Sequence, residues 1–196
     1  MTIELQLIDL NREYTAEEFE ALPDDGNHYQ LIGGKLVMTP ATGDEHGRIL
    51  DNLYRYLVML DPWRKLGQVR ITTGYKIGKN EKGKDNIPEP DLGFVVAHRV
   101  PPVGKGAVPV VPDLVIEVWS PSEVTSPHTL EATRAKIQMF LQAGVSLAWG
   151  INPAKQQVEV YHQGQPIIVL NTDDELSGED IIPNFRLKVS ELFDYA

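Results

Sequence analysis

PDLVIEVWSPS, residues 112–122, places an acid in the middle of an apolar run. Leu114, Val115, Ile116, Val118 and Trp119 have the makings of a buried strand, and Glu117 sits among them. Side chains alternate along a strand, so Asp113, Val115, Glu117 and Trp119 share one face and Leu114, Ile116 and Val118 the other. A carboxylate in such a setting costs several kcal/mol or takes up a proton unless a cation, a metal or a hydrogen-bond donor meets it. The fold therefore has to bring something to Glu117.

A second acid stands in a similar position. PEPDLGFVVA puts Asp91 at the head of another apolar strand, 91–97. If the two strands pair, both carboxylates lie near one end of the sheet, an arrangement that suits Mg²⁺ or Mn²⁺. A positive donor is then needed to orient water or neutralise charge. The helix expected over about 129–143, LEATRAKIQMFLQAG, closes at Gly144 and carries Lys136 at the border of the face made by Leu130, Ile137, Phe140 and Leu141. By spacing alone the alternatives stay open: Asp91 as a turn residue after proline, Glu117 as half of an ordinary ion pair, Lys136 as a lysine reaching out to solvent.

The remaining segments fill in a mixed pattern. TAEEFEA, 15–21, reads as a short helix with Thr15 as N-cap and Glu18 closing a capping box. HYQLIGGKLVM reads as two short strands turning at Gly33-Gly34. EHGRILDNLYRYLVML is a helix whose apolar face runs through Ile49, Leu50, Leu53, Tyr54, Leu57 and Leu60, with His46 at its beginning. GQVRITT and GYKIG, and beyond the helix SLAWGI, QQVEVYH and PIIVL, are strand-like, the last two joined across Gln163-Gly164; VSELFDYA ends the chain as a short helix. The expected fold class is α/β or α+β, a central mixed sheet flanked by helices, and the 196 residues fit one domain, 1–196.

Composition narrows the chemistry. There is no cysteine, which removes disulfides and thiolate metal sites and fits a cytoplasmic setting. Apolar runs are too short to span a bilayer. A net charge of −10 argues against indiscriminate nucleic-acid binding, yet residues 64–105 hold nine Lys and Arg against four acids, +5 in a chain whose remainder carries −15. The bland account of that segment is a solvated hairpin at YKIGKNEKGKDN; the alternative is a phosphate-contacting patch through Lys76, Lys79, Lys82 and Lys84.

HYQLIGGKLVMTPATGDEHGRI, PEPDLGFV, PDLVIEVWSPS and the run from Lys136 through MFLQAGVSLAWGINP together resemble the Uma2 family (DUF820) of the PD-(D/E)XK, restriction-endonuclease-like superfamily. The resemblance spans roughly 28–190. It implies a restriction-endonuclease-like core and a metal-dependent endonuclease hydrolysing DNA, with Mg²⁺ or Mn²⁺ as cofactor and a homodimer as the assembly. It implies Asp91 and Glu117 as metal-binding catalytic residues and Lys136 as the catalytic lysine, displaced onto the helix because Trp119 occupies the motif position two residues after the acid. Gln30 stands where the family usually carries Glu, and with His46 and Asp113 it is a candidate lining residue. Trp119 and Trp149 are expected to be core aromatics. A catalytically silent binding or oligomerisation module and an enzyme acting on RNA or another phosphodiester are the alternative functions.

Overall fold

The structure, a computed structural model, describes residues 8–39, 41–120 and 127–195. Its centre is a six-stranded sheet in the order β3-β4-β5-β6-β7-β8: β3 Gly67–Ile71, β4 Leu92–Val96, β5 Leu114–Val118, β6 Leu147–Asn152, β7 Gln157–Tyr161 and β8 Ile168–Leu170. Only β5 and β6 run parallel, and the long α3, Pro127–Gln142, lies between them in sequence, as a parallel crossover requires. The other neighbours are antiparallel. Strand β5 is thus the hinge of the topology, and every one of its residues is buried.

The alternation along β5 divides the core. Leu114, Ile116 and Val118 pack with Ile49, Leu53 and Leu57 of α2, Asp44–Leu60, and with the C-terminal segment through Phe185, Leu187 and Leu192. Val115 packs on the other face with Ile137, Phe140 and Leu141 of α3 and with Tyr75 and Tyr161. Each buried Leu, Ile or Phe side chain contributes roughly 1.5–3 kcal/mol, so two such layers fix the sheet between its helices.

A smaller unit leans on this sheet. The strands β1, Tyr29–Ile32, and β2, Lys35–Met38, form a hairpin, and both turn glycines take positive φ, +58° at Gly33 and +79° at Gly34. Tyr14, Leu31, Leu36 and Ile87 make its core. The short α1, Ala16–Glu20, packs Phe19 there and carries both halves of the Thr15–Glu18 capping box.

Two local readings change. GYKIG forms no ladder strand. The Lys76 amide bonds the Val108 carbonyl while those of Tyr75 and Ile77 bond Pro88 and Asn86, so the segment divides its hydrogen bonds between different partners and adds no strand to the central sheet. The chain also has a pair of three-residue strands that the pattern does not signal, β9 Glu175–Ser177 and β10 Arg186–Lys188, ahead of the final helix α4, Val189–Leu192. Among the described residues no helix is long and apolar enough to cross a membrane.

Gly93 on β4 lies against Tyr75, and a Cβ there would come within 2.6 Å of ring carbons of a fully buried tyrosine. Gly93→Ala should therefore cost about 1–3 kcal/mol in urea unfolding, whereas Gly104→Ala, with open space around it, should leave the midpoint nearly unchanged.

Candidate functional site

The register of β4 on β5 pairs Leu92 with Ile116, and one further step sets Asp91 opposite Glu117. The backbone confirms that step, because the Val118 amide donates to Asp91 Oδ2 at 2.7 Å. Leu92 and Phe94 face the α2 layer, so Asp91, one residue earlier, shares the α3 face with Glu117. Helix α3 brings Lys136 over this pair. Its Nζ lies 2.8 Å from Glu117 Oε1 and donates to the Glu89 carbonyl at 2.8 Å. The Glu117 side chain is 8% exposed and that of Lys136 21%. The acid in the apolar strand is therefore met by an ammonium group sent across from the helix that β5 itself leads into.

Other elements complete the surroundings. His46, in the first turn of α2, is buried, and its Nε2 lies 3.1 Å from Asp91 Oδ2, the N–H donating to the carboxylate. Gln30 is buried on β1; its Oε1 accepts from the Glu89 amide at 2.9 Å and its Nε2 donates to Thr39 Oγ1 at 2.9 Å. Gln30 thus holds the Glu89 peptide, and Lys136 holds the same residue by its carbonyl. Burial pushes the Glu89 carboxyl up from its ordinary range; His28 and Lys136 pull against that shift, and the charge of Asp91 adds to it. His28 Nδ1 stands 3.5 Å from Glu89 Oε2.

Asp113 is not part of this group. It sits four residues from Glu117 at the other end of β5, about 13 Å along an extended strand. There it accepts from the Val96 amide at 2.9 Å and pairs with Arg99, which also donates to the Val111 carbonyl at 3.0 Å. The shared face is real, but the distance along the strand decides its partner. The lysine segment takes other partners: Lys76 pairs with Glu20 at 2.8 Å, Lys79 with Asp85 at 3.6 Å and Lys84 with Glu13 at 2.5 Å, while Lys82 is exposed at the turn. The Lys84 side chain packs at Gly34, at the far end of the β1–β2 hairpin from Gln30. Trp119 and Trp149 are core aromatics, 1% and 0% exposed.

Sequence reasoning missed Glu89, whose signal was its place between two prolines just ahead of Asp91. It also missed the next acid in the same row. Gly150 on β6 stands opposite Glu117, and Glu159 on β7 stands opposite Gly150. Glu159 is buried, paired with Arg134 of α3 and bonded by the Tyr161 hydroxyl, whose ionisation burial and that contact push well above the ordinary range. Arg134 also lies over the Trp119 ring, 5.6 Å from its centre. One turn of α3 thus supplies a cation to each of two acids in one row.

The donor set can be tested against a divalent ion. Among the described residues no group of three His, Cys, Asp or Glu is gathered closely enough to hold a metal. A hard cation such as Mg²⁺ needs only one or two carboxylates, its other positions being water and substrate oxygen. Asp91 and Glu117, side by side on adjacent strands with oxygen donors, fit that requirement.

The fold and site define a class, a mixed α+β protein built on a nuclease-like sheet. The crystal structure of a "putative nuclease belonging to DUF820" from Anabaena variabilis matches with a TM-score of 0.75 and 22% identity, over 91% of this chain and 97% of that one, a likeness that speaks for the fold. The sequence model of Uma2, described as "Putative restriction endonuclease", matches residues 16–190, and the chain belongs to that family. No curated protein matches it.

Removing Lys136 leaves Glu117 buried without its lysine. Lys136→Met should cost about 3 kcal/mol at pH 7 in urea unfolding, and adding Glu117→Gln should recover most of it, because the penalty lies in a buried charge that has lost its ammonium group.

Proposed function

We propose that this chain is a metal-dependent endonuclease that hydrolyses DNA phosphodiester bonds. The observation that carries the reading is the convergence of Asp91, Glu117 and Lys136 on one face at one end of the sheet. Asp91 and Glu117 would hold Mg²⁺ or Mn²⁺. Such an ion, when bound, supplies Lewis acidity and lowers the pKa of water. The chain's own groups do the rest. Lys136 offers an ammonium group to the charge that builds on phosphate oxygens. His46 fixes the orientation of the Asp91 carboxylate, and Gln30 holds the amide of Glu89, the residue whose carbonyl accepts from Lys136. In the net reaction water oxygen bonds to phosphorus, one P–O ester bond breaks, and the departing oxygen takes up a proton. Cutting both strands of a duplex calls for two such centres, so a homodimer belongs to this reading.

One observation favours a second reading, a catalytically silent binding module: the 2.8 Å Lys136–Glu117 pair already neutralises one of the two acids. Calorimetry with Mn²⁺, followed by plasmid nicking in Mg²⁺ or Mn²⁺, separates the two. The nuclease reading expects Mn²⁺ binding that is lost in Asp91→Asn and in Glu117→Gln, and nicking reduced by about 10²-fold or more in each. Cleavage that survives both substitutions would show that the wrong acids had been chosen. Failure of the wild type to bind Mn²⁺ even with DNA present would leave the silent module.

The four hairpin lysines enter as substrate contacts, and three of them already have acidic partners. If they hold backbone phosphates, reversing all four charges should flatten the plot of log affinity against log salt by about 0.9 for each phosphate that is no longer neutralised. An unchanged slope removes the hairpin from the DNA interface.

A further inference from the structure

Beside the carboxylate pair lies an open cleft of about 250 Å³ whose walls include Phe19, His28, Tyr29, Thr72, Thr73 and Glu89. It is bound to the candidate centre through the backbone. Glu89 lines the cleft while its carbonyl accepts from Lys136 at 2.8 Å. Thr72 lines the cleft while its amide donates to the Asp91 carbonyl at 3.1 Å. Residues 89 and 91 are about 7 Å apart along extended chain, so a group in the cleft and a group at the carboxylates can belong to one nucleotide.

The lining selects the chemistry of the occupant. Among the described residues no Lys or Arg forms its wall; the acid there is a carboxylate, which repels phosphate, and the imidazole of His28 stands 3.5 Å from one of its oxygens, Oε2. Phe19 and Tyr29 are partly buried against the Leu31–Ile87 core, and the Tyr29 hydroxyl is tied to Asp25 Oδ2 at 2.9 Å, so both rings are braced. Braced aromatic surface, threonine hydroxyls and one carboxylate suit a flat, uncharged ring system with N–H groups on its edge. The space is below the roughly 300–1,000 Å³ of a drug-sized pocket and fits a single ring system. Thr72 adds a separate indication: it is β-branched yet sits at φ +40°. Backbone held this far from its preferred region costs about 1–3 kcal/mol and clusters at ligand clamps.

We infer that this cleft is a nucleobase subsite, taking an unpaired base next to the scissile phosphate and favouring guanine. Guanine offers a ring N–H beside an amino group, two donors that a carboxylate can take together. Cytosine and adenine offer an amino group beside an acceptor, and thymine a single N–H. Stacking on Phe19 or Tyr29 is open to any base, so Glu89 supplies the discrimination. The site would read single-stranded or unpaired segments, where the base edge is exposed. This rests on the proposed nuclease reading for its meaning, but the subsite can be tested without cleavage.

The test is fluorescence anisotropy of the full chain in EDTA with two labelled strands of equal length, oligothymidylate and the same strand carrying isolated guanines. The guanine strand should bind about tenfold or more tightly. Glu89→Gln keeps the backbone carbonyl that holds Lys136 and should reduce the ratio to near one. Phe19→Leu keeps apolar bulk and should weaken both strands several-fold with the ratio intact. Asp91→Asn should leave the ratio unchanged. Equal binding of the two strands by the wild type, or a ratio that survives Glu89→Gln in a variant with a normal melting transition, overturns the subsite. A base preference in a protein that never cleaves overturns the nuclease reading alone, and cleavage without base preference overturns the subsite alone.

Discussion

The structure turns on the charge of Glu117. A carboxylate at the centre of a strand buried along its whole length must be met by a positive group, and the group that meets it comes from α3, the crossover that β5 requires to reach its parallel neighbour. Topology and electrostatics are therefore one constraint. The helix has to pack on the face of β5 that carries Glu117, with Lys136 at the level of that residue. Lys136 in turn braces the Glu89 carbonyl, Gln30 braces the Glu89 amide, and Asp91 follows two residues on. A single buried charge thereby ties the central sheet, the covering helix and the β1–β2 hairpin to one point.

Buried ion pairs are poor sources of stability, since desolvation consumes most of the Coulombic gain. A hydrophobic pair of similar volume would serve the fold at least as well. The row Asp91, Glu117, Glu159 incurs this cost twice over, with Lys136 and Arg134 as the compensating cations. The two pairs differ in a way that bears on function. Glu159 is also bonded by Tyr161 and its cation lies over Trp119, so it is held from several sides. Glu117 has Asp91 beside it, and the Asp91 carboxylate is held by the Val118 amide and by His46. Two acids on adjacent strands repel unless a cation joins them, and Lys136 is the cation at this part of the row.

The central sheet was legible because its inner strands are continuous apolar runs, buried on both faces, and its helices carry a 3.6-residue stripe. Glu117, Asp91 and Lys136 could be singled out as exceptions to those patterns: an acid in an apolar run, an acid at a strand head, a lysine at the border of an apolar face. Their convergence also needed the register between β4 and β5, which no local pattern contains. Asp113 shows the limit. Alternation puts it on the Glu117 face, but only the fold shows that Arg99 lies at its end of the strand. The strands β9 and β10 have three residues each, and ELS and RLK are too short to give a recognisable period. GYKIG has the composition of a strand, but its neighbours in space divide its hydrogen bonds.

The cleft was illegible for a different reason. Its walls come from α1, the start of β1, the turn after β3, the segment before β4 and the loop at Gly106–Ala107 ahead of β5, so no stretch of sequence contains more than a few of its atoms. What brings these pieces together is the small core of Tyr14, Leu31, Leu36 and Ile87, which docks the hairpin against the chain leading to Asp91. The Leu31 and Ile87 amides and carbonyls bond reciprocally, at 3.2 and 2.7 Å, and fix the hairpin's position relative to Glu89. The hairpin holds Gln30 against the Glu89 amide on one side and Tyr29 at the cleft on the other, so Glu89, whose carbonyl accepts from Lys136, is tied to both.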